Sequence, residues 1–209
     1  CIEFGLYYAY IDQVNTIFGS EDVKPKFVAA QDGKQNSQIH LIQAKMNYNP
    51  LLNATLYGYL MDFEDLSAWS NQTYGLRLTG KKNNFRYVAE YAKQSEYAEQ
   101  PINYDADYYG LELGYSITDK GSALGEITLG YEVLGSDDGK IAFQTPLATK
   151  HKFNGWADLF LTTPVNGLTD LYISSSFNVF GKGKLGTELH QYRSDEKNMD
   201  YGQEFSVSY

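Results

Sequence analysis

Hydrophobic and polar residues alternate along most of this chain with a period of two. Residues 107–133 show the pattern most clearly: Leu111 and Leu113 share one face of a run, and Ile127 and Leu129 repeat that face in a second run after a short polar turn. Successive side chains of a strand point to opposite sides. The stretch therefore predicts a β-hairpin with one apolar face and one polar face.

Eight further segments complete a set of ten alternating runs, and none of the ten fits helical spacing. The runs cover residues 2–11, 39–48, 53–62, 73–80, 84–93, 107–116, 124–133, 168–179, 184–192 and 202–209. Long or medium connections occupy 12–38, 63–72, 94–106, 134–167 and 193–201, and they alternate with short ones at 49–52, 81–83, 117–123 and 180–183. In an antiparallel up-and-down sheet, this alternation places long loops and short turns at opposite ends.

The alternation is typical of a transmembrane β-barrel of the bacterial outer membrane, which has short periplasmic turns and longer extracellular loops. When the more apolar face of each run is assigned to the outside, aromatic residues lie beside the short turns: Tyr48, Phe85, Tyr115, Phe177 and Tyr209. Aromatic rings at the ends of lipid-facing strands are expected at a membrane interface. Strands of any β protein also favour Tyr and Phe, so these residues alone do not distinguish a membrane barrel from a soluble β protein. The residues of the opposite face provide that distinction.

The opposite face carries ionisable residues at most of its runs. They are Lys45, Arg77, Arg86, Glu90, Glu112, Glu126, Glu132, Glu188 and His190. A closed soluble barrel of the lipocalin type would bury these charges at a large energetic cost. A water-filled lumen removes that cost, so we predict that these residues line a pore.

Charge and length limit the remaining possibilities. The formal charge of −9, with only three arginines, argues against nucleic acid as a partner. No run approaches the ~18 consecutive apolar residues of a membrane-spanning helix. We therefore predict one barrel domain over residues 1–209, with outer-membrane lipid and hydrophilic solutes as partners. Because the chain starts within a strand and Cys1 has no cysteine partner, we expect earlier strands to precede it.

The longest connection, residues 134–167, differs from the other loops in its predicted structure and in its apolar content. Asn154 is predicted to cap a short helix from Trp156 to Leu161 that ends at Pro164. The segment also holds many apolar residues for a solvated loop: Phe143, Leu147, Phe153, Trp156, Leu159, Phe160 and Leu161. We expect an ordered loop that lies over the extracellular mouth or enters the lumen as a constriction, with Phe153, Trp156 and Asp158 as candidates. Packing against the barrel rim is the alternative.

Catalytic chemistry has little support in the sequence. His40, His151 and His190 lie on different segments, and no spacing links them to a nucleophile or to metal ligands. The acidic stretch 136–139 lacks the ligand series of a calcium loop, so a solvated turn is predicted there. We expect no catalytic residue, no metal and no cofactor.

Four segments resemble the alginate-export-like outer-membrane porins of Gram-negative bacteria. They are YYAYIDQVNTIFG at 7–19, TYGLRLTG at 73–80, NYDADYYGLELG at 103–114 and GYEVLGSDDGKIAFQTPLATKHKFNGWADLFLTTPVNGLTDLYIS at 130–174. The resemblance implies a barrel of roughly 16 to 18 strands, of which this chain is an internal or C-terminal portion. The alginate exporter has an arginine-rich conduit, whereas the inner face here has two arginines against at least five glutamates, so alginate itself is not expected.

Two functions follow from these patterns. The first is a passive channel for hydrophilic solutes, including oligo- or polysaccharides. The second is a structural or adhesive barrel, filled inside, whose extracellular loops bind ligands. A barrel closed by ten strands is narrow and filled by side chains, whereas about sixteen strands leave an aqueous channel.

Overall fold

Ten strands form one antiparallel sheet in the computed structural model, which describes residues 2–15, 34–148, 153–179 and 183–209. The strands are β1 (Glu3–Asn15), β2 (Lys34–Asn49), β3 (Leu52–Phe63), β4 (Asn71–Lys82), β5 (Phe85–Glu96), β6 (Asp105–Asp119), β7 (Ser122–Leu134), β10 (Leu168–Val179), β11 (Gly183–Arg193) and β12 (Asp200–Ser208). They lie in chain order, so the topology is an up-and-down meander. Two-residue strands β8 (Ser136–Asp137) and β9 (Ile141–Ala142) pair separately, and a 3-10 helix covers Ser67–Trp69.

The all-β, antiparallel, up-and-down architecture is confirmed, but the sheet is open. Within the described residues, β1 pairs only with β2 and β12 only with β11, so the two edge strands do not meet. Several strands are longer than the sequence pattern predicts. β6 and β7 run on until only Lys120 and Gly121 separate them, because a register shift between Ile117 and Thr118 interrupts the alternation without ending the strand.

Short turns lie at one end of the sheet and long loops at the other. The Asn49 side chain accepts hydrogen bonds from the backbone N–H groups of Leu51 and Leu52, at 2.8 and 3.1 Å, which closes the β2–β3 turn. Lys120 adopts a φ of 47° in the β6–β7 turn, before a glycine. Residues 180–182 of the last predicted turn lie outside the described residues, as do Cys1, His151 and residues 16–33 of the first predicted loop.

One face of the sheet, here called the apolar face, is hydrophobic and exposed. Leu113, Leu129 and Ile173 sit directly opposite one another on β6, β7 and β10, and each is about half exposed, at 52%, 53% and 48%. Phe85 and Tyr115 lie on this face at the short-turn end, with ring centroids 4.9 Å apart. The assignment of outward residues therefore agrees with the observed register.

The opposite face, here called the polar face, has a hydrophobic core only at the long-loop end. It consists of two buried clusters: the larger comprises Ala92, Tyr104, Ala106, Leu134, Phe143, Leu168 and Tyr192, and the smaller comprises Ile39, Met61 and Phe63. Tyr104 is 2% exposed and its hydroxyl lies 3.2 Å from the side-chain oxygen of Gln94. Burial, with a further contribution from Glu96, raises the pKa of Tyr104, so its hydroxyl stays protonated. No helix among the described residues is long and apolar enough to cross a membrane.

Candidate functional site

The polar face collects every ionisable residue that the sequence pattern assigned to the inner side. Strand register aligns part of the set in one row across β2 to β5, in which Lys45 faces Thr55, Thr55 faces Arg77, and Arg77 faces Glu90. The full set on this face is Lys45, Arg77, Arg86, Glu90, Glu112, Glu126, Glu132, Glu188 and His190. The period-two alternation of side chains along each strand therefore puts all of these residues on one face.

Arg86 on β5 is the centre of a charged cluster. Its Nε donates to Glu126 at 2.7 Å, and its two terminal nitrogens donate to Glu112 and to the hydroxyl of Thr128, both at 2.8 Å. Gly114 stands directly opposite Arg86, where a Cβ atom would lie 2.7 Å from the arginine side chain. The glycine therefore allows the guanidinium to reach two strands across the sheet.

A second ion pair joins β4 to β5. Arg77 pairs with Glu90, whose other carboxylate oxygen accepts a hydrogen bond of 2.7 Å from the Tyr57 hydroxyl. Lys45 does not join either cluster, since its Nζ lies over the ring of Tyr7, 4.9 Å from the centroid. The structure therefore brings the two arginines together with carboxylates and leaves the lysine apart.

Glu132 connects the sheet to the long connection. Its carboxylate accepts hydrogen bonds of 2.6 Å from the Tyr108 hydroxyl and from the Asn154 side-chain amide. Both donors are neutral, so no cation of the described residues neutralises this carboxylate through a hydrogen bond.

Asp170 on β10 and His190 on β11 form a buried pair, and the sequence pattern identified only the histidine. His190 was expected to line the pore, but Asp170 was not singled out; it is 1% exposed and lies 2.9 Å from the His190 Nδ1. The imidazole stacks between Tyr172 and Tyr192, with centroids 5.2 and 5.4 Å away. Asp170 shares the strand face of Tyr172, which is the signal that could have identified it.

The long connection lies against the polar face. Gln94 and the backbone of Gln144 exchange two hydrogen bonds, of 2.8 and 2.9 Å. Further along, the backbone N–H groups of Trp156 and Ala157 donate to Glu204 at 2.7 and 3.1 Å. The long connection therefore contacts the polar face through β5 and β12.

The short helix predicted after Asn154 is not present. Residues 153–162 form turns and bends, and Asn154 has a φ of 56°, which no helix start uses. Its side chain donates to Glu132 instead of capping a helix. Competition from the half-buried carboxylate of Glu132 explains the error.

The three constriction candidates occupy different positions in this segment. Phe153 lines both of the cavities described below, Trp156 is 60% exposed, and Asp158 lies between two turns with a φ of 54°. The apolar residues of the long connection differ in exposure. Phe160 packs on Tyr192 at 4.8 Å, whereas other apolar side chains are exposed: Leu159 and Leu161, besides Trp156.

Two cavities lie between the polar face and this segment. Cavity A has a volume of about 400 Å³ and an aromatic wall formed by Tyr57, Tyr59, Tyr108 and Phe143. Cavity B has a volume of about 560 Å³, and its charged wall consists of Arg77, Arg86, Glu112, Glu132, Asp170 and Glu188. Phe153 and Asn154 border both cavities, so the two cavities adjoin at the long connection.

The acidic turn and His40 make local contacts away from the two cavities. The stretch 136–139 belongs to the β8–β9 hairpin, in which the Ser136 hydroxyl accepts the Gly139 N–H at 3.0 Å. His40 lies on the apolar face, with its Nδ1 2.9 Å from the Tyr8 hydroxyl. In the part of the chain that the structure describes, no group of three His, Cys, Asp or Glu is arranged to hold a metal ion.

Comparison with known proteins gives no further assignment. No protein-family model matches this chain, and neither the curated proteins nor the solved structures include a match.

Proposed function

We propose that this chain forms the wall of an outer-membrane β-barrel porin through which hydrophilic solutes pass passively. The observation that carries the proposal is the opposite chemistry of the two faces. Apolar side chains stand exposed across the whole width of the sheet, from Leu6 on β1 to Phe205 on β12, both 68% exposed. Ion pairs, carboxylates and two cavities occupy the other face.

Lipid accounts for the apolar face. Soluble proteins rarely leave a continuous apolar patch of this extent in water, whereas a barrel strand in a bilayer needs it. Tyr and Phe at the short-turn end then meet the lipid–water interface, as the contact of Phe85 with Tyr115 illustrates. Water on the polar face removes most of the cost of keeping several carboxylates there.

The open edges bear on the size of the barrel. β1 and β12 each have a neighbour on one side, so their other backbone N–H and C=O groups have no ladder partner. Inside a bilayer such groups are very costly, and spanning sheets therefore close. We propose that further strands complete the barrel, in line with the resemblance to alginate-export-like porins of roughly 16 to 18 strands.

A structural or adhesive barrel is the second candidate. The observation in its favour is the long connection, which covers part of the polar face through Gln144, Asn154 and Trp156. If such segments fill the interior, solutes do not pass, and the exposed loops remain as the functional surface.

Single-channel recording distinguishes the two candidates. We expect the purified protein, in the form that carries the strands completing the barrel, to produce stepwise ionic currents in a planar bilayer, because a polar interior lined by ion pairs holds water and ions. As a control for insertion, the protein is incorporated into lipid vesicles, and flotation of the vesicles shows that the protein is bound to them. Inserted protein that gives no current would contradict the channel and favour the adhesive barrel.

Orientation can be tested with two matched turns. Asp138 and Lys120 both have positive φ, of 50° and 47°, both precede a glycine and both are exposed. In a Cys1→Ser background, we expect an impermeant thiol reagent to label a cysteine at Asp138 on intact cells and to spare one at Lys120. Extracellular long loops and periplasmic short turns require this outcome. Labelling of the cysteine at position 120 alone would contradict this topology and indicate the reverse orientation.

A further inference from the structure

We infer that cavity A binds a neutral aromatic solute that carries a hydrogen-bond acceptor, such as the carbonyl oxygen of an aromatic amide. The inference rests on the proposed channel, since it names a class of hydrophilic solute that the polar face recognises. Three features of the cavity carry it: aromatic rings held in place, carboxylates whose oxygens are all occupied, and open donors on Arg77.

The aromatic rings of cavity A are fixed by their surroundings. Tyr57 and Tyr59 stack along β3 with centroids 4.9 Å apart, and Tyr108 packs against Phe143 at 5.4 Å. The hydroxyl groups of Tyr57 and Tyr108 each donate to a carboxylate, at 2.7 and 2.6 Å. Gly75 stands directly opposite Tyr57 and leaves room for its ring, since a Cβ atom there would lie 2.2 Å from it. An aromatic solute therefore meets rings that need little ordering on binding.

The cavity has the size and the access of a small-molecule site. Its volume of about 400 Å³ lies within the range of about 300–1,000 Å³ that such sites occupy. Arg77 has a side chain that is 43% exposed, and Phe153 is 48% exposed, so a solute can contact both. Met61, Leu134 and Leu147 add apolar surface to the wall.

The two carboxylates of cavity A have no vacant oxygen. Each of their four oxygens accepts a hydrogen bond: the donors are Tyr57 and Arg77 for Glu90, and Tyr108 and Asn154 for Glu132. A solute ammonium group would have to compete with these donors. One guanidinium and two carboxylates sum to −1, from +1 and −2, so an anionic solute is repelled.

Arg77 provides the open donors. A guanidinium has five N–H groups on three nitrogens. Within the described residues only Nη1 donates, to Glu90, whereas Nε and Nη2 have no protein acceptor. A carbonyl oxygen of a solute in the cavity can accept from these groups. Because Glu90 offsets the charge of Arg77, a neutral acceptor suits the site.

A saccharide fits cavity A less well. Its several hydroxyl groups each need a partner, and hydroxyl groups left without one cost energy. The uncharged polar side chains Asn71, Thr73 and Gln94 are only 1%, 4% and 1% exposed. Gln94 donates to the other two and to the backbone of Gln144, so these groups satisfy one another. A flat ring with one acceptor makes no such demand.

Isothermal titration calorimetry of the completed barrel, folded in detergent micelles, tests the inference. We expect benzamide to bind saturably and cyclohexanecarboxamide, which keeps the amide and loses the aromatic ring, to bind at least about threefold more weakly. Sodium benzoate should bind at least about fivefold more weakly than benzamide. Methyl β-glucopyranoside should give no saturable heat.

Each comparison can contradict the inference. Equal affinities for the two amides would overturn the role of the aromatic wall. Benzoate binding as tightly as benzamide would overturn the preference for a neutral acceptor. Saturable binding of the glucoside at the affinity of benzamide would overturn the class of solute.

Arg77→Lys tests the open donors. The lysine has a single nitrogen, which stays with Glu90, so the ion pair is kept and the donors on Nε and Nη2 are lost. We expect benzamide to bind at least about fivefold more weakly to this variant. A circular dichroism spectrum that matches the parent protein shows that the variant is folded. Unchanged affinity in the folded variant overturns the role of Arg77.

Phe153→Leu tests the aromatic wall at its most exposed ring. We expect benzamide to bind at least about twofold more weakly. Phe85→Leu is the matched control, because Phe85 is also about half exposed, at 51%, and lies on the apolar face. Its affinity for benzamide should equal that of the parent protein. Equal losses in both variants would show that benzamide does not bind in cavity A.

The same preparations separate this inference from the proposed channel. Ionic current in a planar bilayer without saturable benzamide binding would overturn the aromatic site and leave the channel standing. Binding without current would overturn the channel and leave the site. Both together, with current interrupted by benzamide and less interrupted in Arg77→Lys, support the two proposals.

Discussion

Leu129→Arg is expected to lower the free energy of unfolding in a phospholipid bilayer by about 2–4 kcal/mol, the cost of a guanidinium on the lipid face near the midplane of a barrel. Leu129 lies in the middle of β7 and stands directly between Leu113 and Ile173. Both residues directly opposite it are apolar. If the face met water instead, an exposed substitution would change stability by no more than about 0.5 kcal/mol. Urea unfolding of the protein in vesicles, followed by tryptophan fluorescence, measures the difference.

Ser176→Arg is the matched control on the polar face. Ser176 stands directly opposite Glu126, so a new guanidinium there would meet a carboxylate and water. The alternation alone suggests Thr128 for this purpose, but the structure rules it out. Thr128 is 6% exposed, and its hydroxyl accepts a hydrogen bond from Arg86, so an arginine there would crowd a like charge. Equal losses from Leu129→Arg and Ser176→Arg would contradict the assignment of faces.

The strands and their faces were predictable because their signal is local. A period-two pattern fixes which side chains share a face, and one residue of slip would exchange the two faces entirely. The contact of Phe85 with Tyr115 and the row of Leu113, Leu129 and Ile173 follow from that rule together with chain order. Strand ends were less predictable, as the register shift at Ile117 shows.

The long connection and the buried pair were not predictable in the same way. Asn154 follows a common rule for helix caps, yet a carboxylate 22 residues earlier in the chain, Glu132, takes its side chain. Asp170 became significant only when antiparallel pairing placed β10 beside β11 and brought His190 to it. Both contacts depend on residues far apart in sequence, and no local pattern encodes them.

The contacts of Arg86 also change what is expected of ion selectivity. The sequence pattern counts carboxylates on the inner face, whereas the structure shows that Glu112 and Glu126 share one guanidinium. The cluster of these three side chains has a charge of −1, the sum of +1 and −2. Replacing both glutamates by glutamine leaves the arginine alone and changes the cluster to +1.

We expect the parent channel to prefer cations and the double variant Glu112→Gln with Glu126→Gln to lose that preference or to favour anions. Fixed carboxylates along a narrow aqueous path concentrate cations, and an unpaired guanidinium has the opposite effect. The reversal potential of single channels in a potassium chloride gradient reports the change. Replacing Glu64 and Glu99 by glutamine removes the same formal charge from exposed positions at the long-loop end, and should shift the reversal potential far less. A clear anion preference in the parent protein, unchanged in the double variant, would show that the Arg86 cluster does not set selectivity.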